Sequence, residues 1–523
     1  MMRKSVRVPW MAALLATISL PVTIRAQDVA DPDAGLAPNT ESLTAGDVKT
    51  IVAKAAGAVD NSAMVIAVSD RQGNVLAVFR KNNAPVLATG NFSQEVDTNE
   101  LAVAVARTAA FFSNSQAPLS SRTVRFISGI HFPAGIMYTD NGALYGIENT
   151  NRGCSFNTTY IPGQEFPAAL SLDGSQPGLG IITGKKDLTD SDPASVNPGG
   201  VPLYKNGRMV GGVGVAGVSP AEAEYASFVG SRDAGFLPLP PPDPGAVFID
   251  GIALPFVDQT SQPDGTQPVA GGANLDDTAL ATLGQFVVGP LDSPGPAPEG
   301  DLVAPKDGAL GGLTAGDVRG IIDQSVALAN QTRANIRLPL GTRAKFVIAV
   351  ADLDGQVIGL HRMKDATVFS IDVSVAKARN VIYFSGPDSA STDLPGVPQN
   401  RAVTNRTIGF GAQPLYPPGI DFTEPGPFFS LYQFDTTHPC TQGAQPANPY
   451  QNGIVFFPGS LPLFRNGVLV GGLGVSGDGV DQDDLVTNAG AAAFQAPPRV
   501  RADRVMDEGV RLPYLKFPRN PTD

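Results

Sequence analysis

The chain of 523 residues carries a formal net charge of -12, which argues against nucleic acid, a partner that asks for a basic face. The same acidity argues against adhesion to anionic lipid. Its two cysteines and the lack of a Cys-x-x-Cys-His motif exclude covalent c-type haem and a cysteine-rich zinc site.

Arg3, Lys4 and Arg7 form a basic start, Trp10 to Val22 an apolar run interrupted by Pro21, and Ala26 a small residue suited to cleavage. This pattern predicts a secretory signal over 1–26 and a periplasmic or secreted mature chain. The run is too short to span a bilayer, and nothing later is apolar for long enough. Loss of Arg3, Lys4, Arg7 and Arg25 would take the net charge from -12 to -16.

The rest of the chain is written twice. Leu43-Thr44-Ala45-Gly46-Asp47-Val48 returns as Leu313 to Val318, and Val65-Ile66-Ala67-Val68 as Val347 to Val350. Pro202-Leu203-Tyr204-Lys205-Asn206-Gly207 returns as Pro462-Leu463-Phe464-Arg465-Asn466-Gly467. Three blocks in one order predict tandem domains over 43–230 and 313–496, a period too long for a solenoid. Each copy opens with a capped amphipathic helix, at Thr44 and Thr314. A hairpin follows, from Met64 to Arg80 and from Phe346 to Arg362. A second helix comes next, Glu100 to Phe112 and Asp372 to Phe384.

Each copy then carries a long insertion rich in Gly, Pro, Asn and aromatics, about 114–200 and 386–460. Each closes on a hairpin whose Asn-Gly tip suits a type I′ turn. The outgoing strands have glycine at 212 and 214 or 472 and 474, which favours close packing of a helix on the sheet. Residues 231–312, with Pro238, Pro240, Pro241, Pro242 and Pro244, read as an extended Pro/Gly-rich linker. Residues 497–523 read as a Pro-rich tail that docks on the domains.

This ordered set, found twice, resembles the GlcG/HbpS-like haem-binding family, also titled haem-degrading. The closest-matching stretches are Leu43 to Val52, Val65 to Arg80 and Pro198 to Gly217, then Leu313 to Ile322, Val347 to Ala366 and Pro458 to Gly477. They cover about half of the mature chain. The resemblance implies an α+β class with profilin-like domains, each an antiparallel sheet flanked by helices. It implies that units associate in pairs, so the duplication would build an intramolecular pseudo-dimer, with homo-oligomers an open option. It implies haem as cofactor; together with the signal, the chain then reads as an exported haem- or tetrapyrrole-binding protein, with a redox or haem-degrading side activity.

The residues leave the ligand open. His131, His361 and His438 are the three histidines and the candidate iron ligands. None is duplicated: they align with Leu415, Phe79 and Arg152. Its apolar counterpart makes His361 look more like a packed or strand-edge histidine than a ligand. Tyr138, Tyr204 and Tyr416 are weaker candidates. Arginine, by contrast, is duplicated: Arg80 with Arg362, Arg107 with Arg379, Arg122 with Arg406. Their forks suit haem propionates or a small carboxylate ligand. Internal pairing is the favoured reading, with Arg80 and Arg362 meeting Asp70 and Asp352 across their hairpins and the helical arginines tying helix to insertion.

Cys154 and Cys440 occupy similar late positions in their copies and are a disulfide candidate; two free cysteines are the other reading. No Ser-His-Asp order or His-Glu-x-x-His appears, so enzymatic status stays open. The alternatives to haem binding are therefore a small-organic-anion module using the arginines, or an enzyme built from the insertions.

Overall fold

A computed structural model describes residues 39–155, 169–174, 177–237, 243–272 and 274–522. The expected signal over 1–26 and the prolines at 238, 240, 241 and 242 lie outside them.

The first copy runs α1 (Ala45–Ala58), β1 (Val65–Asp70), β2 (Val75–Lys81), a small hairpin β3 (Leu87–Thr89) and β4 (Glu95–Asp97), then α2 (Thr98–Phe112). Its insertion holds α3 (Ser121–Phe126), and the copy closes with β5 (Gly200–Lys205), β6 (Arg208–Ala216) and α4 (Pro220–Arg232). The connecting segment carries the hairpin β7 (Phe248–Ile249) and β8 (Ile252–Ala253), then α5 (Asp277–Leu283), β9 (Gly284–Val288) and β10 (Gly300–Val303). The second copy follows as α6 (Ala315–Ala329), β11 (Phe346–Ala351), β12 (Val357–Arg362) and α7 (Phe369–Ser385). After α8 (Asn405–Gly411) and α9 (Phe429–Thr437) in its insertion come β13 (Ser460–Arg465), β14 (Val468–Gly477) and α10 (Val480–Gly490). A last hairpin, β15 (Met506–Asp507) and β16 (Val510–Arg511), lies in the tail.

Both helix starts have the predicted cap. Thr44 and Thr314 accept from the amides of Asp47 and Asp317, whose carboxylates return the bond. Each copy folds into a five-stranded antiparallel sheet, in the order β5-β6-β1-β2-β9 and β10-β12-β11-β14-β13. The fold is therefore α+β, as the resemblance implied. β1 shows why its residues form an unbroken apolar run. Ile66 and Val68 pack with Val52 of α1 and Ala226 of α4, while Val65 and Ala67 pack with Ala102 and Val105 of α2. A strand covered on both faces keeps no polar side.

The linker differs from expectation. Residues 231–312 do not merely run beside the domains: α4 reaches Arg232, β9 extends the first sheet and β10 the second. The alternating burial of β9 is typical of an edge strand with one face on a core, and β2 and β12 would otherwise present bare edges. The tail docks, as expected. Thr404 donates to the carbonyl of Tyr514, and the Lys516 amide donates to Asp484.

The two copies share one interior. Phe111, Phe112 and Leu119 of the first join Val368, Phe369 and Ile371 of the second in a single apolar cluster. Phe112 stacks on Phe369 with ring centroids 4.2 Å apart. Among the described residues no helix is long and apolar enough to cross a membrane.

Candidate functional site

The duplicated arginines are held inside the fold. Arg80 donates to the carbonyls of Ala84 and Pro85 and to Asn99, and Arg362 to those of Ala366 and Pro298. Neither pairs with Asp70 or Asp352 across its hairpin. Those aspartates instead accept backbone amides, Asp70 from Gln72 and Asn74, Asp352 from Leu310 and Gly311.

Arg107 ties α2 to its own hairpin turn through Gly73 and to the insertion through Leu170. Arg379 does likewise with Gly355, Ser155 and Asn452. Burial lowers Arg107 to about 10 and Arg362 to about 9. Arg122 forks onto Glu224 at 2.7 and 2.9 Å, and Arg406 onto Asp484 and Asp481 at 2.5 and 2.6 Å. The donors that a small anion would need point at protein acceptors.

The histidines part company. His131 has both ring nitrogens engaged, with Ser191 at 2.8 Å and Asp421 at 2.7 Å, so it has no lone pair left for iron. His438 lies on the surface, stacked on Phe434 with Nδ1 near Thr437. His361 lies on a strand, but not an edge strand, because β10 pairs with β12 on its outer side. β10 places Asp301 beside it, and its Nδ1 sits 2.7 Å from that carboxylate. Its Nε2 has no hydrogen-bond partner among the described residues. Arg319 also pairs with Asp301, and these partners hold that carboxyl below its ordinary range. Among the tyrosines, Tyr204 is buried and donates to the Asn114 carbonyl, Tyr416 has a buried hydroxyl, and Tyr138 is exposed.

The disulfide candidate is formed: Cys154 and Cys440 are joined with their Cα atoms 5.4 Å apart across 286 residues. What sequence reading missed is the buried polar cluster near it, where the insertions meet. Beside Cys154 in sequence, Glu148 faces Lys185 at 2.6 Å, both fully buried. The Lys185 ammonium stands 5.2 Å from the ring centre of Tyr145 and 5.9 Å from that of Tyr432. Asn149 donates to Asp435 of α9 at 2.8 Å. Burial pushes Asp435 up to about 7 and lowers Lys185. The cluster draws on both insertions, Asn149 and Asp435 being 286 positions apart, and has no motif spacing, so no sequence signal announces it.

A second buried pair belongs to one copy alone. Lys377 meets Asp483 at 3.0 Å, where the first copy has Val105 and Ala223. A cleft of about 470 Å3 lies between α1 and α5, but its lysines are already matched, Lys49 with Asp277 and Lys54 with Asn274. Among the described residues no group of three or more His, Cys, Asp or Glu side chains is placed to hold a metal ion.

A sheet with helices on both faces, built twice and joined through its insertions, defines a duplicated α+β domain protein. Residues 322–492, within the second copy, match the model of the haem-degrading HbpS-like family. The chain is also 28% identical, over 148 residues, to an uncharacterised 15.0 kDa protein of the dhaT-dhaS intergenic region of Citrobacter freundii. That match covers 28% of this chain and 75% of the relative. Two solved structures are similar. A PduOC–haem complex matches at 22% identity over 35% of this chain and 94% of that one, with a TM-score of 0.23. Klebsiella pneumoniae ORFY, of the DUF336 family model, matches at 21% over 35% and 90%, also with a TM-score of 0.23.

Proposed function

We propose that this chain is a haem- or tetrapyrrole-binding protein that works outside the cytosol, with its two copies standing as an internal pair. The HbpS-like match over residues 322–492 carries the reading. The histidine set is compatible with it at one position. A ligating histidine commonly gives its second ring nitrogen to a carboxylate, which orients the ring and raises its basicity. His361 and Asp301 have that relation, and Nε2 is the atom that would meet iron. Bound haem would supply redox chemistry; this chain's part is to orient the imidazole through Asp301. The disulfide supports an oxidising compartment, where such bonds persist. The family description adds haem degradation as a side activity.

The test is a hemin titration followed at the Soret band. A saturable, shifted band is expected, weakened on the order of 10-fold or more in His361→Ala, as for loss of one ligand shell. His131→Ala and His438→Ala should titrate like wild type. Slow bleaching of bound haem under reductant and oxygen would show the degrading activity. If hemin gives no saturable shift with wild-type protein, the haem reading fails.

A further inference from the structure

Each insertion contains the same loop. Pro133-Ala134-Gly135-Ile136-Met137-Tyr138 corresponds to Pro417-Pro418-Gly419-Ile420-Asp421-Phe422, with the same two backbone hydrogen bonds. Phe132 N donates to Asp140 O at 2.8 Å and Tyr416 N to Glu424 O at 3.1 Å; Ile136 and Ile420 close turns on Pro133 and Pro417. In both loops the glycine has positive φ, and so does the aromatic at the tip, Tyr138 at 60° and Phe422 at 61°. Aromatic residues avoid that region, so the conformation is imposed by its surroundings. Asp421 braces it, taking the Tyr138 amide at 2.9 Å while holding His131.

The result of that bracing is apolar surface turned outward. Phe422 is 81% exposed, Tyr138 60%, Ile136 53%, and Ile420 and Met137 48% each. The two tips touch, with ring centroids 6.1 Å apart. Residues meet their own counterparts only where a two-fold axis passes, and this happens at Tyr138–Phe422 and at Cys154–Cys440. The apolar patch is thus continuous with the contact that the insertions already make with each other, and it shares that contact's approximate symmetry, broken where Asp421 stands in place of Met137.

We propose that this patch is an interface with a second copy of the same chain. A surface that is two-fold symmetric in itself can meet an identical surface about a perpendicular axis, giving each ring an equivalent aromatic or aliphatic neighbour. Its centre is aromatic, aliphatic and methionine, the composition of an interface core. An anionic membrane is a poor occupant for a chain of net charge -12.

Sedimentation velocity over a range of concentrations tests this with the full chain. Wild type is expected in a concentration-dependent equilibrium with a species of twice its mass. Tyr138→Asn with Phe422→Asn should weaken association on the order of 100-fold, as for loss of aromatic anchors. Asparagine tolerates positive φ, so circular dichroism and melting should show the double variant folded. A wild type that stays monomeric at the highest concentration overturns the proposal, as does a double variant that associates unchanged. Flotation of monomeric wild type with neutral phosphatidylcholine vesicles would overturn it in favour of lipid.

Discussion

At the scale of single residues, duplication marks what the fold needs at least as strongly as what a ligand needs. An arginine fork answers to a backbone carbonyl as readily as to a propionate. Sequence shows that Arg107 and Arg379 occupy equal places, but only coordinates show the Gly73 and Gly355 carbonyls in front of them. Buried acids carry the clearest pH prediction. Burial holds Asp435 at about 7, against an ordinary carboxyl near ~4 in the unfolded chain. Between those values the folded chain keeps a proton that the unfolded chain has released, so this residue's contribution falls as pH rises through the window. Above it the contribution is flat. Asp435→Asn keeps an acceptor for Asn149 and removes the titration. Urea unfolding should find the variant gaining on wild type from pH 4 to pH 8, most of it by pH 8. An equal loss of stability at both ends would mean that Asp435 is ionised in the fold and paired.

Among elements, the alternate glycines on the closing strands are explained by helices at backbone distance. A Cβ at Gly212 or Gly214 would strike the carbonyl oxygens of Ala106 or Ala102 of α2, and one at Gly472 or Gly474 those of Ala378 or Ser374 of α7. The close-packing expectation therefore accounts for them without a ligand. Gly474→Ala should cost on the order of 1–3 kcal/mol by overpacking, read as a lower urea midpoint at unchanged slope. A neutral effect would mean that α7 can retreat from β14. The Asn-Gly tips behave as their dipeptide predicts, Asn206 and Gly207 at φ 49° and 73°, Asn466 and Gly467 at 53° and 82°. β9 and β10 escaped sequence reading because a two-sided choice of partner strand is not encoded locally; Phe286 shows its place only against Phe79, 5.1 Å away.

For the whole molecule, the decisive contacts run between the copies. Asp365 of the second copy pairs with Arg71 of the first at 2.9 Å and accepts from the Ser115 amide, and both charged side chains are buried. The disulfide ties the insertions across 286 residues. Cys154→Ser with Cys440→Ser should lower unfolding free energy by about 2–4 kcal/mol, chiefly by freeing the unfolded chain. The check is melting of wild type with and without reductant beside the double variant. Reduction that leaves wild type unchanged would show that the shared apolar core and the Asp365 contacts join the copies without the disulfide.

Periodicity, capping and turn dipeptides are local, so the sequence by itself determined the repeat, the helices and the hairpins, while the α+β class was what the resemblance implied. Val65 to Val68 can be read as a strand because its neighbours suffice to declare it. Partnership is not local. Which carbonyl receives Arg379, which carboxylate meets His361, how Cys154 reaches Cys440 and why Tyr138 faces outward were decided by the tertiary structure alone. Each depends on segments brought together only when the sheets, the linker strands and the two insertions pack around one interior.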